Sequence, residues 1–583
     1  MTQETCQGLG LRAKGFVARG IRPVARGSSR AFTLVAQGFS LAIVVAVLPI
    51  ALSGQRPDAE ASVDAVFAKW TSSTPGCAVG VATGGTPVLA RGYGMADLEH
   101  DVRISADSVF EAGSVSKQFT AAAVMLLARE GKLSLDDQVR KYIPELPDYE
   151  PLAAPKPPGG GGGLTIRHML NHTSGLRDWG SVAGIAGWPR TTRVYTHAHV
   201  LEIVSRQHAL NFTPGTRWSY SNTGFNLAAM IVARVSGWTF PEFTRTRLFM
   251  PLGMTHTSWR DDFTRIEKGR AIAYKENDDG YHTDMPFEDV YGNGGLLTTV
   301  GDLLKWNEHY DAPPAGDAAM IAEQQKPGHF NDGRVHGYGL GLFVGTYQGL
   351  HEVYHSGSTA GYSAFLTRFP DQRVSVAVLC NAAGAQATQY AHAVADVYLG
   401  DRLKPSEPKA THTLTSADMD RAAGQWVSDT TGVPVTIVRD KDMLRLGRST
   451  PLFAQSGMVF LTAGRDEWQL DARGIRHTDA FGTVEEYGRA QPAQYTDGQI
   501  AALAGTYASD DAETVLTAVV ENHALVLKRR PDTTITLTPV YTDAFTAGGG
   551  LGTVIFRRDA TGRPSELSVV QDRVWDMRFQ RSR

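Results

Sequence analysis

The chain is poor in cysteine: three among 583 residues cannot build a disulfide framework. Cys77 and Cys380 each sit in an apolar run, GCAVGVA and VSVAVLC, where a free buried thiol serves as a small hydrophobe. Two free thiols are therefore the expectation, and a bridge stays open because the sequence does not show whether they meet. An excess of charge is lacking too. With 57 basic and 60 acidic side chains the net charge is −3, so the composition carries no general affinity for polyanions. The glycine run PKPPGGGGG at 155–163 is not followed by Gly-Lys-Ser/Thr, and no basic aromatic stripe lies beyond the leader, so neither nucleotide nor nucleic acid is expected. That run reads as a flexible surface insertion. Hydrophobic residues at 42% and charged residues at 20% exclude disorder for the bulk of the chain. At roughly 150 residues per domain, the length sets a prior of three or four domains.

Only one apolar run is long. Residues 1–30 carry Arg12, Lys14, Arg19, Arg22, Arg26 and Arg30 against Glu4, and the uncharged stretch Ala31–Gly54 follows. A basic flank, an apolar run and the small residues Ala51 and Ser53 read as an export signal cleaved after about Ser53. The run is also just long enough to span a bilayer with the basic end inside, so a retained membrane anchor is the alternative. Removal of 1–53 leaves 51 basic and 59 acidic side chains, a more acidic body.

CAVGVA and TPVLARGYG predict an antiparallel hairpin turning at Gly84-Gly85. Thr165 is a candidate helix cap, FNLAAMIVARVSG at 225–237 predicts a helix stopped by its glycine, and Thr299 or Asp302 opens another. Beyond about Lys404 short alternating stretches dominate. Ala423-Gly424, Trp426, Ser428-Asp429 and Leu444 match Ala504-Gly505, Tyr507, Ser509-Asp510 and Leu525 at a constant offset of 81. Two copies of a small closed or nearly closed antiparallel barrel are the reading.

Three motifs carry chemistry. Gly113-Ser114-Val115-Ser116-Lys117 opens a helical run ending at Gly131, so Ser114 and Lys117, three apart, share a face. A serine needs an adjacent base, and a buried lysine with a lowered pKa is one. Ser116 sits off that line. Tyr220-Ser221-Asn222 lies in a turn before a helix, where Tyr220 can relay a proton and Asn222 can hold an amide or position the lysine. His355-Ser356-Gly357-Ser358 ends a strand whose Ser358 N–H, with that of Ser114, can form an oxyanion hole; His355 is placed near the substrate carboxyl or the proton-relay oxygen. Gly357 lets chain and substrate approach. His351-Glu352-Val353-Tyr354-His355 also fits the zinc pattern H-E-x-x-H, but that chemistry needs a helix. The β-forming residues here predict a strand with the histidines about 13 Å apart. No metal and no cofactor are expected.

These motifs, with LNHTSGL, PGTRWSYSNTGF, GNGGLLTT and HSGSTAGYSAF, resemble the penicillin-recognising serine hydrolases, in the class C β-lactamase-like and D-aminopeptidase-like branch, over about 57–400. The resemblance implies an α+β fold. A β-lactamase/transpeptidase-like catalytic domain, an antiparallel sheet flanked by helices, would precede two small lipocalin-like barrels. The expected boundaries are leader 1–53, catalytic domain 57–400, linker 401–418, and barrels 419–495 and 499–583. It also implies an acyl-enzyme on Ser114, Lys117 and Tyr220 sharing the base role, Asn222 orienting substrate, and an oxyanion hole from Ser114 and Ser358. His172 would be structural or near the cleft. The β-lactamases and most DD-peptidases of that family carry a lysine where this chain has His355, and the His-x-Gly triplet resembles the D-aminopeptidase branch. The expected substrate is a small peptide, amide or ester, with a D-stereospecific peptidase or aminopeptidase favoured. A carboxylesterase or β-lactamase is the alternative, and a non-catalytic peptidoglycan or peptide binder the rival. The barrels would limit substrate size, or serve as scaffold or as contacts for a homodimer.

Overall fold

Runs such as CAVGVA and VSVAVLC are apolar at all but one position, Ser375, as suits strands covered on both faces. In the computed structural model, which describes residues 59–149, 163–190, 192–314, 316–404 and 409–582, they are neighbours in one sheet. The leader expected at 1–53 and positions 155–162 of the glycine-rich insertion lie outside the described residues. The sheet holds β1 (Cys77–Thr83), β2 (Thr86–Tyr93), β3 (Phe343–Tyr347), β4 (Leu350–Thr359), β5 (Tyr362–Phe369) and β6 (Val374–Cys380). Its order is β3-β4-β5-β6-β1-β2, antiparallel throughout, with the hairpin turning at Gly84-Gly85 as expected.

Five helices matter for the site: α1 (Ala59–Val66), α2 (Ser116–Arg129), α3 (Asn222–Ser236), α4 (Val300–Asp311) and α5 (Ala387–Leu399). Along β1, Cys77, Val79 and Val81 join Val63 of α1 and Ala391 and Val394 of α5 in one core, while Ala78 and Ala82 join the core that contains Leu303 and Leu304 of α4. The α4 face of β1 is built of small residues because the helix lies close. A Cβ on Gly80 would already meet Val300 and Leu304 at 3.1 Å. Thr299 caps α4, accepting from the Asp302 N–H at 3.2 Å, and α3 stops at Gly237 with φ 75°.

One expectation is corrected. Cys77 and Cys380 are not free thiols; they are joined in a disulfide. The cause is register: β1 and β6 pair so that the two residues lie directly opposite, with Cα atoms 4.0 Å apart. The bridge ties the first strand of the sheet to the last across 303 residues of chain.

Beyond the sheet the chain forms two closed antiparallel barrels of eight strands, from Gly424–Ser428 to Val484–Ala490 and from Gly505–Ser509 to Val574–Arg581. The repeat at offset 81 is visible in detail. Thr415 and Thr496 cap the short helices Ser416–Ala422 and Asp497–Leu503. The Trp426 indole N–H then donates to the Ala422 carbonyl at 3.0 Å, and the Tyr507 hydroxyl to the Leu503 carbonyl at 2.9 Å. Closure leaves neither barrel an open strand edge. His351 through His355 run along β4, so the zinc pattern is on a strand. Among the described residues no helix is long and apolar enough to cross a membrane.

The disulfide gives the first prediction. Cys77→Ala/Cys380→Ala should lose roughly 2–5 kcal/mol of stability, because it frees a long loop in the unfolded chain. Thermal denaturation under non-reducing conditions should show a Tm several degrees below the wild type, and an unchanged Tm would contradict it.

Candidate active site

Every residue from Phe110 to Leu127 is buried except Ser114. Ser114 sits in a 3-10 turn, Gly113–Val115, that leads directly into α2, one turn ahead of Lys117. The turn is packed against β4. Gly113 has φ +51°, and a Cβ on it would fall 2.5 Å from the Ser358 nitrogen; a Cβ on Gly357 would fall 2.0 Å from the Ala112 carbonyl oxygen and 3.0 Å from the Ser114 nitrogen. Two glycines therefore let the backbone amides of Ser114 and Ser358 come together. The Ser116 hydroxyl is tied up within the turn: it donates to the Gly113 carbonyl at 2.5 Å and accepts from the Leu296 N–H at 3.2 Å.

Lys117 is fully buried, and its Nζ has three neighbours: Ser114 Oγ at 3.0 Å, Asn222 Oδ1 at 2.9 Å and the Asn293 carbonyl at 2.7 Å. Burial holds the lysine well below its ordinary pKa, and the guanidinium of Arg573 pushes it further down; Arg190 acts in the same sense and Asp178 opposes them. Asn222 is the first residue of α3, and its backbone N–H donates to Asp178 Oδ2 at 2.8 Å. Asn293 is fixed through Asn226, whose amide donates to Asn293 Oδ1 at 2.7 Å. Tyr220 stands over the lysine, with Nζ 4.8 Å from its ring centroid. Burial raises the Tyr220 pKa, and its hydrogen bond with Ser114 opposes that.

His355 lines the same cleft, but both ring nitrogens are engaged inside the protein. Nδ1 lies 2.6 Å from the Ser356 carbonyl and must donate to it, which leaves Nε2 to accept from the Tyr338 hydroxyl at 2.9 Å. Burial and then Lys117 bring its pKa down to about 3, so the ring is neutral at physiological pH. His172 packs on Tyr220 with ring centroids 4.2 Å apart, and its Nδ1 accepts from the Ser221 N–H at 3.2 Å, so it supports the turn that presents Tyr220.

Ser114, Tyr220, Asn222, His355, Gly357 and Ser358 line one cleft of about 620 Å³, and Lys117 lies beneath it. The structure adds residues that sequence reasoning passed over. Asn293, inside the quoted GNGGLLTT, supplies a backbone carbonyl, which no side-chain pattern advertises. Phe481 comes from the first barrel, and Asp572 and Arg573 from the second. Arg573 stands with its guanidinium 4.8 Å from the Tyr220 ring centroid. Its backbone carbonyl accepts from the Asp178 N–H at 3.2 Å and from the Asn211 amide at 3.1 Å. The buried Arg177 side chain ties down the same region, donating to Asp511 Oδ2 at 2.8 Å and to the Asp576 carbonyl at 3.1 Å.

A helical turn presenting a serine over a buried lysine, beside an antiparallel sheet, defines a serine hydrolase that works by acyl transfer. The Beta-lactamase family model matches residues 63–399, more than half of the chain, and the chain belongs to that family. Penicillin-binding protein 4* of Bacillus subtilis is 27% identical over 333 residues, 54% of this chain and 69% of that protein. A D-aminopeptidase of Brucella anthropi is 24% identical over 515 residues, 85% of this chain and 93% of that one. The structure of the octameric penicillin-binding protein homologue from Pyrococcus abyssi shares the fold, with a TM-score of 0.51 at 24% identity over 74% of this chain and 99% of that one.

Arg573 gives the second prediction. Arg573→Met removes a cation that disfavours protonated Lys117, so the lysine should take up its proton at higher pH. The acid limb of kcat/KM against pH should move up, and Arg573→Lys should leave it near the wild-type position; an unmoved limb in Arg573→Met would contradict it.

Proposed function

We propose that the chain is an exported amidase or peptidase that cleaves small amides or peptides at a D-residue through an acyl-enzyme on Ser114. The observation that carries this reading is the set of three contacts at Lys117 Nζ. A neutral amine has two N–H donors and one lone pair. Asn222 Oδ1 and the Asn293 carbonyl can only accept, so they take both donors, and the lone pair is left for the Ser114 hydroxyl to donate into. A charged ammonium could not take a proton from Ser114; the buried, depressed lysine can. Burial moves Tyr220 the opposite way and keeps it a phenol, so Lys117 is the base and Tyr220 the relay.

The steps follow. Ser114 Oγ attacks the carbonyl carbon as its proton passes to Lys117, and the oxyanion is met by the N–H groups of Ser114 and Ser358. The tetrahedral intermediate collapses, the leaving amine takes a proton by way of Tyr220, and the acyl group stays on Ser114. Water, deprotonated by the same Lys117–Tyr220 pair, releases it. Asn222 holds the lysine through Oδ1, which leaves its amide nitrogen for the substrate.

Amide substrates with a D-residue are favoured by the D-aminopeptidase relative, whose match is too long to stop at the catalytic unit and extends into the barrels. A neutral His355 agrees with this, since it offers no charge to a penicillin carboxylate. β-Lactam hydrolysis stands as a second reading because Arg573 places a cation in the cleft. Export is supported by the basic, then apolar, leader and by the buried disulfide, a bond that persists in oxidising compartments.

A fluorophosphonate probe should label the wild-type protein and not Ser114→Ala. Initial rates should be higher on D-alanine para-nitroanilide or a D-alanyl-D-alanine peptide than on para-nitrophenyl acetate or nitrocefin. Faster turnover of the ester or of nitrocefin than of both amides would overturn the substrate assignment.

A further inference from the structure

The cleft has one aromatic wall. Trp218, two residues before Tyr220, stacks on Phe481 with centroids 4.3 Å apart and planes 18° from parallel. Phe343, the first residue of β3, lies 5.6 Å from Phe481 and 6.5 Å from Trp218. All three are only partly buried and all three line the cleft that contains Ser114. Among the described residues lining that cleft, the remainder are small, polar or already assigned to the chemistry, so this wall is where a large apolar group can be covered.

The wall belongs to two domains, and the join is built firmly. Phe481 sits in the turn between the strands Ile475–Thr478 and Val484–Ala490 of the first barrel. Asp479 locks that turn, with Oδ1 accepting from the N–H groups of Phe481 at 2.9 Å and Thr483 at 2.8 Å. Two arginines of the catalytic unit clip it in place: Arg334 donates to the Gly482 carbonyl at 2.5 Å, and Arg217 pairs with Glu485. These polar contacts also hold the barrel, so Phe481 is not its only tie to the catalytic unit. A ring docked for packing alone would be covered, whereas this one stays partly open to the cleft.

We propose that Trp218, Phe343 and Phe481 form a substrate side-chain subsite for an aromatic or large aliphatic group, with the first barrel supplying the ring that closes it. This rests on the amidase reading above and deepens it, since it names the side chain that the site selects. Phe481 is then a specificity-determining residue and takes no part in proton transfer. Preference arises because the ring of the substrate leaves water for an aromatic surface, while a methyl group cannot reach it.

The test compares D-phenylalanine and D-alanine para-nitroanilides on wild-type protein, Phe481→Ala and Phe481→Trp. The wild type should favour the phenylalanine substrate by roughly tenfold or more in kcat/KM. Phe481→Ala should lose most of that preference through KM, with turnover of the alanine substrate within about twofold, and Phe481→Trp should retain it. A wild type that favours alanine, or a Phe481→Ala variant that lowers both substrates equally, would overturn the subsite. Failure of the amidase reading is told apart by a binding arm. Ser114→Ala and Ser114→Ala/Phe481→Ala are titrated calorimetrically with D-phenylalaninamide and D-alaninamide. Tighter binding of the phenyl compound that disappears in the double variant supports the subsite without any turnover, and equal binding of the two amides overturns it.

Discussion

A fully buried lysine is the constraint on which the rest of this site depends. An ammonium taken out of water without a carboxylate partner is costly, and a lysine so placed gives up its proton instead. The surroundings of Lys117 push it the same way. Its near polar neighbours are a serine hydroxyl, an amide oxygen and a backbone carbonyl, and the nearby guanidinium of Arg573 adds repulsion. The one carboxylate that opposes them, Asp178, accepts the backbone N–H groups of Asn222 and Ser181. Its charge thus holds the start of α3 and does not pair directly with the lysine.

The appended barrels follow from the same logic of enclosure. A cleft open to water on all sides would rehydrate Lys117 and weaken the burial that lowers its pKa. The second barrel brings Arg573 to the face of Tyr220, and the first brings Phe481 to the face of Trp218. Each is anchored by buried or half-buried arginines of the catalytic unit, Arg177 on one side and Arg217 on the other. Catalytic unit and barrels therefore share the walls of a single cleft.

Legibility in the sequence followed the range of the interactions. Ser114 and Lys117 could be read together because three residues of helix fix them on one face, and the two barrels showed as an 81-residue echo because each copy repeats the same cap and the same aromatic-to-helix hydrogen bond. The strand that carries the H-E-x-x-H pattern was legible because Val353 and Tyr354 favour one. Long-range partners were hidden. Nothing local to Cys77 announces that Cys380 lies opposite it, since that depends on the register of strands almost the whole catalytic unit apart. Asn293 contributes a carbonyl, which every residue possesses, and Phe481 and Arg573 sit in barrel turns whose aim is set by docking. His355 was placed in the cleft from its motif, but the engagement of its two nitrogens needed the position of Tyr338.

The central claim is that Lys117 is a neutral amine whose lone pair faces Ser114. Its most direct test is heteronuclear NMR of protein with isotopically labelled lysine, with the Lys117 side-chain signal assigned by its absence in Lys117→Met and followed against pH. The account predicts the chemical shift of an unprotonated amine at pH 7.5, with the ammonium appearing only on acidification. A signal that stays that of an ammonium from pH 7.5 up to the ordinary lysine range near pH 10 would contradict it.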